Sequence, residues 1–153
     1  MKNDRDMSHL VTGRDLHFLV QASYYNNAAI DAGNMAAAKA VTDSVRMFAT
    51  MIIAGHSKAQ ASIDSLAAVH SIVVPHTPDS LYGVMSQQLS VLEGRRFDSA
   101  YIKSQAASHQ AAMNLYHEEL NNGNNRSVKE FAEQTLPVVK THHAVASRLS
   151  LSF

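Results

Sequence analysis

Apolar residues return every three or four positions along most of the chain, a period that predicts helices rather than strands. The clearest stretch opens at Phe97-Asp98-Ser99-Ala100-Tyr101. Beyond it Ile102, Ala106, His109, Met113, Tyr116 and Leu120 share one face, and Lys103, Gln110, Asn114, His117 and Asn121 share the other. Asn121-Asn122-Gly123 closes this helix. Nearer the start, Phe18, Ala22, Tyr25, Ala29, Ala32 and Ala36 form a stripe entered through Thr12 and Asp15, which read as a capping box. Thr42-Asp43-Ser44 offers caps for a second helix, expected to run to about Val74 and stop at Pro75. Its inward stripe is Val45, Phe48, Ile52, His56, Ala59, Ile63, Leu66, His70 and Val73.

Thr77 followed by Pro78 predicts a short helix that buries Leu81, Val84, Met85, Leu89 and Leu92 and ends at Gly94. Ser127 and Glu130 predict a capping box for the last helix, with Val128, Phe131, Val138, His142, Val145 and Leu149 inward. Pro137 falls inside that helix on its polar side and should kink it. The expected architecture is all-α: four long helices, with a short helix in the connection between the second and third long ones. Helices of about 25 residues, rising about 1.5 Å each, make a bundle about 40 Å long. Residues 1–11 read as a flexible segment and 12–151 as one bundle domain, without repeats or low-complexity tracts.

The composition removes several classes of function. Thirteen basic residues balance thirteen acidic ones, so nothing favours nucleic acid or an anionic membrane as partner. There is no cysteine, which excludes disulfides and thiolate metal sites. No run approaches the roughly 20 apolar residues of a membrane span. Met1-Lys2-Asn3-Asp4-Arg5-Asp6 lacks the apolar core of a signal peptide, which keeps a cytoplasmic setting open. No Ser-His-Asp order, glycine-rich phosphate loop or paired inward carboxylates stands out, and the expectation leans away from an enzyme, with no catalytic residues assigned.

Histidines carry the remaining chemistry. His56, His109 and His142 lie on three different inward stripes, each in the central part of its helix. His56 and His109 are each about 14 residues, or roughly 21 Å, from a helix end. One reading is a layer of buried neutral rings hydrogen-bonded to one another or to Ser, Thr or Tyr. The other is a site for a single divalent transition metal (zinc, copper or iron) or another small ligand, with Tyr25 and Tyr101 supporting it. A di-iron carboxylate site is not expected, because Ile53, Ala106 and Val139 occupy the positions three residues before the histidines. His142-His143 is a further pair, with His143 toward the rim; His70 and His76 read as structural or solvated, and His9, His17 and His117 as solvated. The methionines are scattered, and Glu118-Glu119 and Glu130-Glu133 read as surface charges. Homo-oligomerisation through an exposed helix face is a further expectation.

Three separated patterns carry a family resemblance: Phe48-Ala49 followed by His56; Phe97-Asp98 with Tyr101 and His109; and Phe131-Ala132 followed by Leu136-Pro137 and His142. Together they resemble bacterial ferritin-like proteins of unknown function that are commonly exported and often labelled outer-membrane or periplasmic. The match spans about residues 16–150. It implies a ferritin-like four-helix bundle in the periplasm or cell envelope and supplies no activity; the leading expectation is a non-enzymatic binding or structural protein. The chain departs from the pattern twice. Gly55 stands where the family usually has Asp, and Ala29 stands where it usually has Glu on the first helix. Asp31 lies off the inward stripe and is a poor substitute.

Overall fold

The computed structural model describes residues 6–153, in which there are five helices and no strand. They are α1 (Gly13–Lys39), α2 (Asp43–Val69), α3 (Ser80–Ser90), α4 (Gly94–Asn122) and α5 (Arg126–Ser150). None is long and apolar enough to cross a membrane. Part of the N-terminal segment expected to be flexible, residues 1–5, lies outside the described residues. Within the rest, Ser8 accepts from the Arg126 backbone N–H, and Met7, His9 and Leu10 offer carbonyls to the amides of Asn124 and Asn125.

Directions follow from who meets whom at the ends. Residues 40–42 are the only link between α1 and α2, so those helices run antiparallel. Lys39 at the end of α1 meets Glu93 just before α4, while Arg14 at the start of α1 meets Glu118 near the end of α4. α4 is therefore antiparallel to α1 and parallel to α2. The connection carrying α3 must travel the length of the helices, as parallel neighbours require.

Two buried aspartates close the ends. Asp15 completes the expected capping box with Thr12, and it also accepts from the backbone N–H groups of Asn124 and Asn125 at the start of α5. Asp98, from the first turns of α4, accepts from the N–H groups of Val41 and Thr42 and from the Thr42 hydroxyl. Each acid accepts from the N-cap residue, and from the residue before it, at the start of a helix on the other hairpin.

Several local expectations are corrected. α2 stops at Val69, short of Pro75, because Ser71 takes a left-handed φ of 55° and the N–H groups of Ser71 and Ile72 turn back to Ala68 and Ala67. Val73 is consequently 90% exposed. α3 begins after Asp79, whose carboxylate accepts from Tyr82 N–H, rather than at Thr77-Pro78. That register buries Tyr82 and Leu89 and turns Leu81 and Val84 outward. Gly94, at φ 61°, opens α4 instead of ending α3. α5 is capped by Asn125, two residues ahead of the expected Ser127, and Val139, not Val138, faces inward.

The core is divided. One apolar cluster gathers Phe18, Ala22, Ala59, Ala112, Tyr116, Phe131 and Val139; the other gathers Ala29, Phe48, Ile52, Phe97, Tyr101, Ile102 and Ala146. On each long helix, one or two buried polar positions separate the two, Ser23 accompanying the α1 position named next. α1 places Asn26 between Ala22 and Ala29, and α2 places His56 between Ile52 and Ala59. α4 places Gln105 and His109 between Ile102 and Ala112, and α5 places His142 between Val139 and Ala146.

Candidate metal centre

The helical period that buries the apolar stripes also delivers the three histidines to one layer. The ring centroids of His56, His109 and His142 form a nearly equilateral triangle with sides of 5.1, 5.3 and 5.4 Å. One nitrogen from each lies within 4.8 Å of the others. The closest pair is His56 Nε2 and His109 Nε2, 3.0 Å apart. Gly55 makes the third ring fit: a Cβ there would stand 2.7 Å from His142 Cε1 and 3.0 Å from Nε2. Its expected cost to α2, about 1 kcal/mol relative to alanine, is the cost of seating His142.

All three rings are at most 5% exposed. Burial, reinforced by the neighbouring His109 and His142, pushes the His56 pKa well below its ordinary value. Burial brings His109 down to about 4, against an opposing hydrogen bond to the Gln105 carbonyl. Burial alone brings His142 to about 4. The rings are therefore neutral near pH 7, the state in which imidazole offers a lone pair to a metal. His109 Nδ1 lies 2.7 Å from the Gln105 carbonyl oxygen, which can only accept. The ring proton of His109 is thereby placed on Nδ1, and its Nε2 faces His56 as a lone pair.

The donor set suits a transition ion. Two nitrogens on one tetrahedral ion, each about 2.0–2.1 Å from it, stand about 3.3 Å apart, close to the observed separation. The same layer holds two buried atoms, His142 Nδ1 and Gln105 Oε1, without a hydrogen-bond partner among the described residues. A metal–imidazole layer normally has outer partners orienting each ring, and two are present: Asn26 Oδ1 at 2.8 Å from His56 Nδ1, and the Gln105 carbonyl.

The tyrosines lie elsewhere. Tyr101 packs between Phe48 and Phe97, with a buried hydroxyl that has no hydrogen-bond partner among the described residues. Tyr25 lines a cavity of about 620 Å³ with Tyr24, Tyr82 and Met85. Among the described residues no hydrogen bond joins either hydroxyl to a histidine. The partners that do reach the layer, Asn26 and Gln60, carry a weak sequence signal. Asn26 stands four residues after the inward Ala22, and Gln60 four after His56, so each shares a face with a core position. His143 is half-buried beside the layer, and His76 contacts Asp64 at 3.2 Å on the outside.

A second buried polar cluster corrects the reading of Glu118-Glu119 as surface charges. Glu118 is exposed, but Glu119 is 2% exposed, and among the described residues neither of its oxygens meets a donor. Burial, followed by contact with Asp15, raises the Glu119 pKa to about 9. Burial works against ionisation of Asp15 as well, but hydrogen bonds from Glu119, the backbone of Thr12 and Asn124, and the Thr12 hydroxyl bring it to about 2. Glu119 is therefore protonated and donates to the Asp15 carboxylate.

The chain belongs to the family described as "Domain of unknown function (DUF4142)", whose model matches residues 2–149. No curated protein matches it in sequence. Among solved structures it is similar to a DUF305 fragment from Deinococcus radiodurans, with 12% identity and a TM-score of 0.83 over 94% of this chain and 99% of that one. It is similar to CopM in the Cu(II)-bound form, with 17% identity and a TM-score of 0.77 over 90% and 96% of the two chains. A DUF305 protein from Streptomyces coelicolor, described as a presumed secreted protein, gives 12% identity and a TM-score of 0.76 over 89% and 91%. At these identities the likeness is one of fold.

Proposed function

We propose that this protein binds one divalent transition-metal ion through His56, His109 and His142, in the central layer of a ferritin-like four-helix bundle spanning residues 12–151. The observation that carries the reading is the approach of two buried, neutral imidazoles through Nε2 at 3.0 Å, with a third ring completing the triangle. Copper ranks first among the candidates, zinc second and iron last. Neutral imidazoles suit copper and zinc, divalent copper binds most strongly in the first-row series, and among the described residues the layer has no carboxylate to favour iron. The copper-bound state in the description of CopM adds support for copper. An envelope or periplasmic setting fits the secreted description of the Streptomyces coelicolor neighbour. There the protein would act by holding or buffering a metal rather than by catalysis.

The test is a titration of untagged, metal-free protein with Cu(II), Zn(II) and Fe(II) in turn, read by metal analysis after gel filtration. One copper or zinc ion per chain is expected, lost in His109→Gln while helicity is retained. Failure of the wild-type chain to retain any of the three at one per chain would remove the proposal.

A further inference from the structure

Beyond the histidines, a line of amides runs from their layer to the surface. His56 Nδ1 meets Asn26 Oδ1 at 2.8 Å, Asn26 Nδ2 donates to Gln60 Oε1 at 3.0 Å, and Gln60 Nε2 donates to Asp64 Oδ1 at 3.0 Å. Asn26 and Gln60 are buried, whereas the Asp64 side chain is 43% exposed. An amide can present either end to a neighbour, so the question is what fixes its direction.

Two groups fix it, and both act on Gln60. The Asp64 carboxylate can only accept. The Ser23 hydroxyl commits its hydrogen to the Leu19 carbonyl at 2.8 Å, so toward Gln60 Nε2, 3.2 Å away, it also can only accept. Turning Gln60 over would set its carbonyl against both acceptors and its amino group against that of Asn26. The direction is then inherited inward. Gln60 Oε1 demands the amino group of Asn26, which leaves Asn26 Oδ1 facing His56, which demands a proton on His56 Nδ1.

We propose that Asp64, Gln60 and Asn26 are positioning residues that lock His56 as its Nδ1–H tautomer, so that Nε2 always faces the centre as a lone pair. Since the Gln105 carbonyl does the same for His109, the two rings meet lone pair to lone pair across 3.0 Å, with no proton between them. Without the relay, His56 could carry its proton on Nε2 and donate to His109. That would satisfy the metal-free layer and oppose a metal. The relay therefore keeps the layer in its ligating form in advance of binding, a consequence that rests on the metal reading above. The tautomer itself does not depend on that reading.

The experiment reads both. Long-range proton–nitrogen NMR on metal-free protein assigns the protonated nitrogen of His56, and copper and zinc titrations follow on the same samples. The wild-type chain is expected to show Nδ1–H. Gln60→Met, which keeps length and removes polarity, is expected to move His56 toward Nε2–H and to weaken metal binding about 10- to 100-fold, as loss of an outer partner does. Asp64→Leu, at the half-exposed end where folding is not at stake, should shift the tautomer in the same direction to a smaller extent, and it serves if Gln60→Met does not fold. A wild-type His56 protonated on Nε2 overturns the proposal even if metal binds. Variants that fold and leave both tautomer and affinity unchanged overturn it too. A wild-type Nδ1–H that the variants shift, in a chain that binds no metal, upholds the relay and removes only the metal reading.

Discussion

The histidine layer and the Asp15–Glu119 pair both crowd hydrogen-bond acceptors into a buried space, and they resolve it in opposite ways. In both, burial disfavours the charged form of the group. For Glu119 the neutral form gains a hydrogen, so the pair closes on itself: the carboxyl at about 9 donates to the carboxylate at about 2. For the histidines the neutral form loses a hydrogen. With one proton on each ring, and those protons held on Nδ1 as proposed above, His56 and His109 bring two lone-pair nitrogens within 3.0 Å of each other. On the proposed reading, the same desolvation that completes the acid pair, together with those tautomers, leaves the imidazole layer open to a cation, and the low pKa values keep a proton from supplying it. Buried polarity by itself does not mark a ligand site. The proposed site is distinguished by acceptors that converge and are not satisfied by protonation.

The strongest way to break this comparison is to remove one convergent nitrogen. His109→Gln is expected to lower copper or zinc affinity by more than the roughly 10- to 100-fold that loss of an outer partner produces, with circular dichroism unchanged. Asp15 and Glu119 substitutions should leave metal affinity where it was. Next in size, Gly55→Ala places a methyl group 2.7 Å from His142 Cε1 and should cost about 10-fold in metal affinity, measured by competition with a chelator. That loss should appear although alanine favours the helix by about 1 kcal/mol.

The acid pair offers the complementary test. Glu119→Gln supplies the donor to Asp15 permanently, and is expected to stabilise the protein at pH 8 by about 1–2 kcal/mol in urea unfolding. The pH slopes are smaller and opposite in sign. Glu119 titrates at about 9 when folded, above the ordinary 4.5, so the folded state holds the extra proton and stability falls as pH rises through that window. His109 and His142 titrate at about 4, below the ordinary 6.5. The unfolded chain therefore binds more protons, and stability of the metal-free protein falls as pH drops from about 6.5 to about 4. Glu119→Gln should flatten the alkaline limb and leave the acid limb standing.

How much of this was legible in the sequence follows from what each signal measures. Helical period and a histidine on three stripes are repeated, redundant patterns, so the long helices and the trio His56, His109 and His142 could be read directly. The relay could not. Asn26 and Gln60 look like ordinary polar residues of α1 and α2, and following Tyr25 draws the eye to the margin of α1's buried face rather than its centre. Which end of an amide faces inward depends on Ser23 and Asp64, contacts 37 and 4 residues away from Gln60. The end of α2 is not legible, because Pro75 is a conspicuous stop, whereas Ser71 adopts its left-handed turn without the glycine that usually announces one. Glu119 was hidden by its neighbour: successive helix positions are about 100° apart, so Glu118 can be solvated while Glu119 is enclosed. The short helix misled because a shift of its start from Pro78 to Ser80 turns Leu81 and Val84 outward and Tyr82 inward.

The most direct measurement is an anomalous difference map at the copper edge from crystals grown with one equivalent of Cu(II). The account predicts a single strong peak between His56 Nε2, His109 Nε2 and a nitrogen of His142, absent from His109→Gln crystals. A map with no peak in that layer, while surface histidines such as His76 or His117 carry the metal, would contradict it.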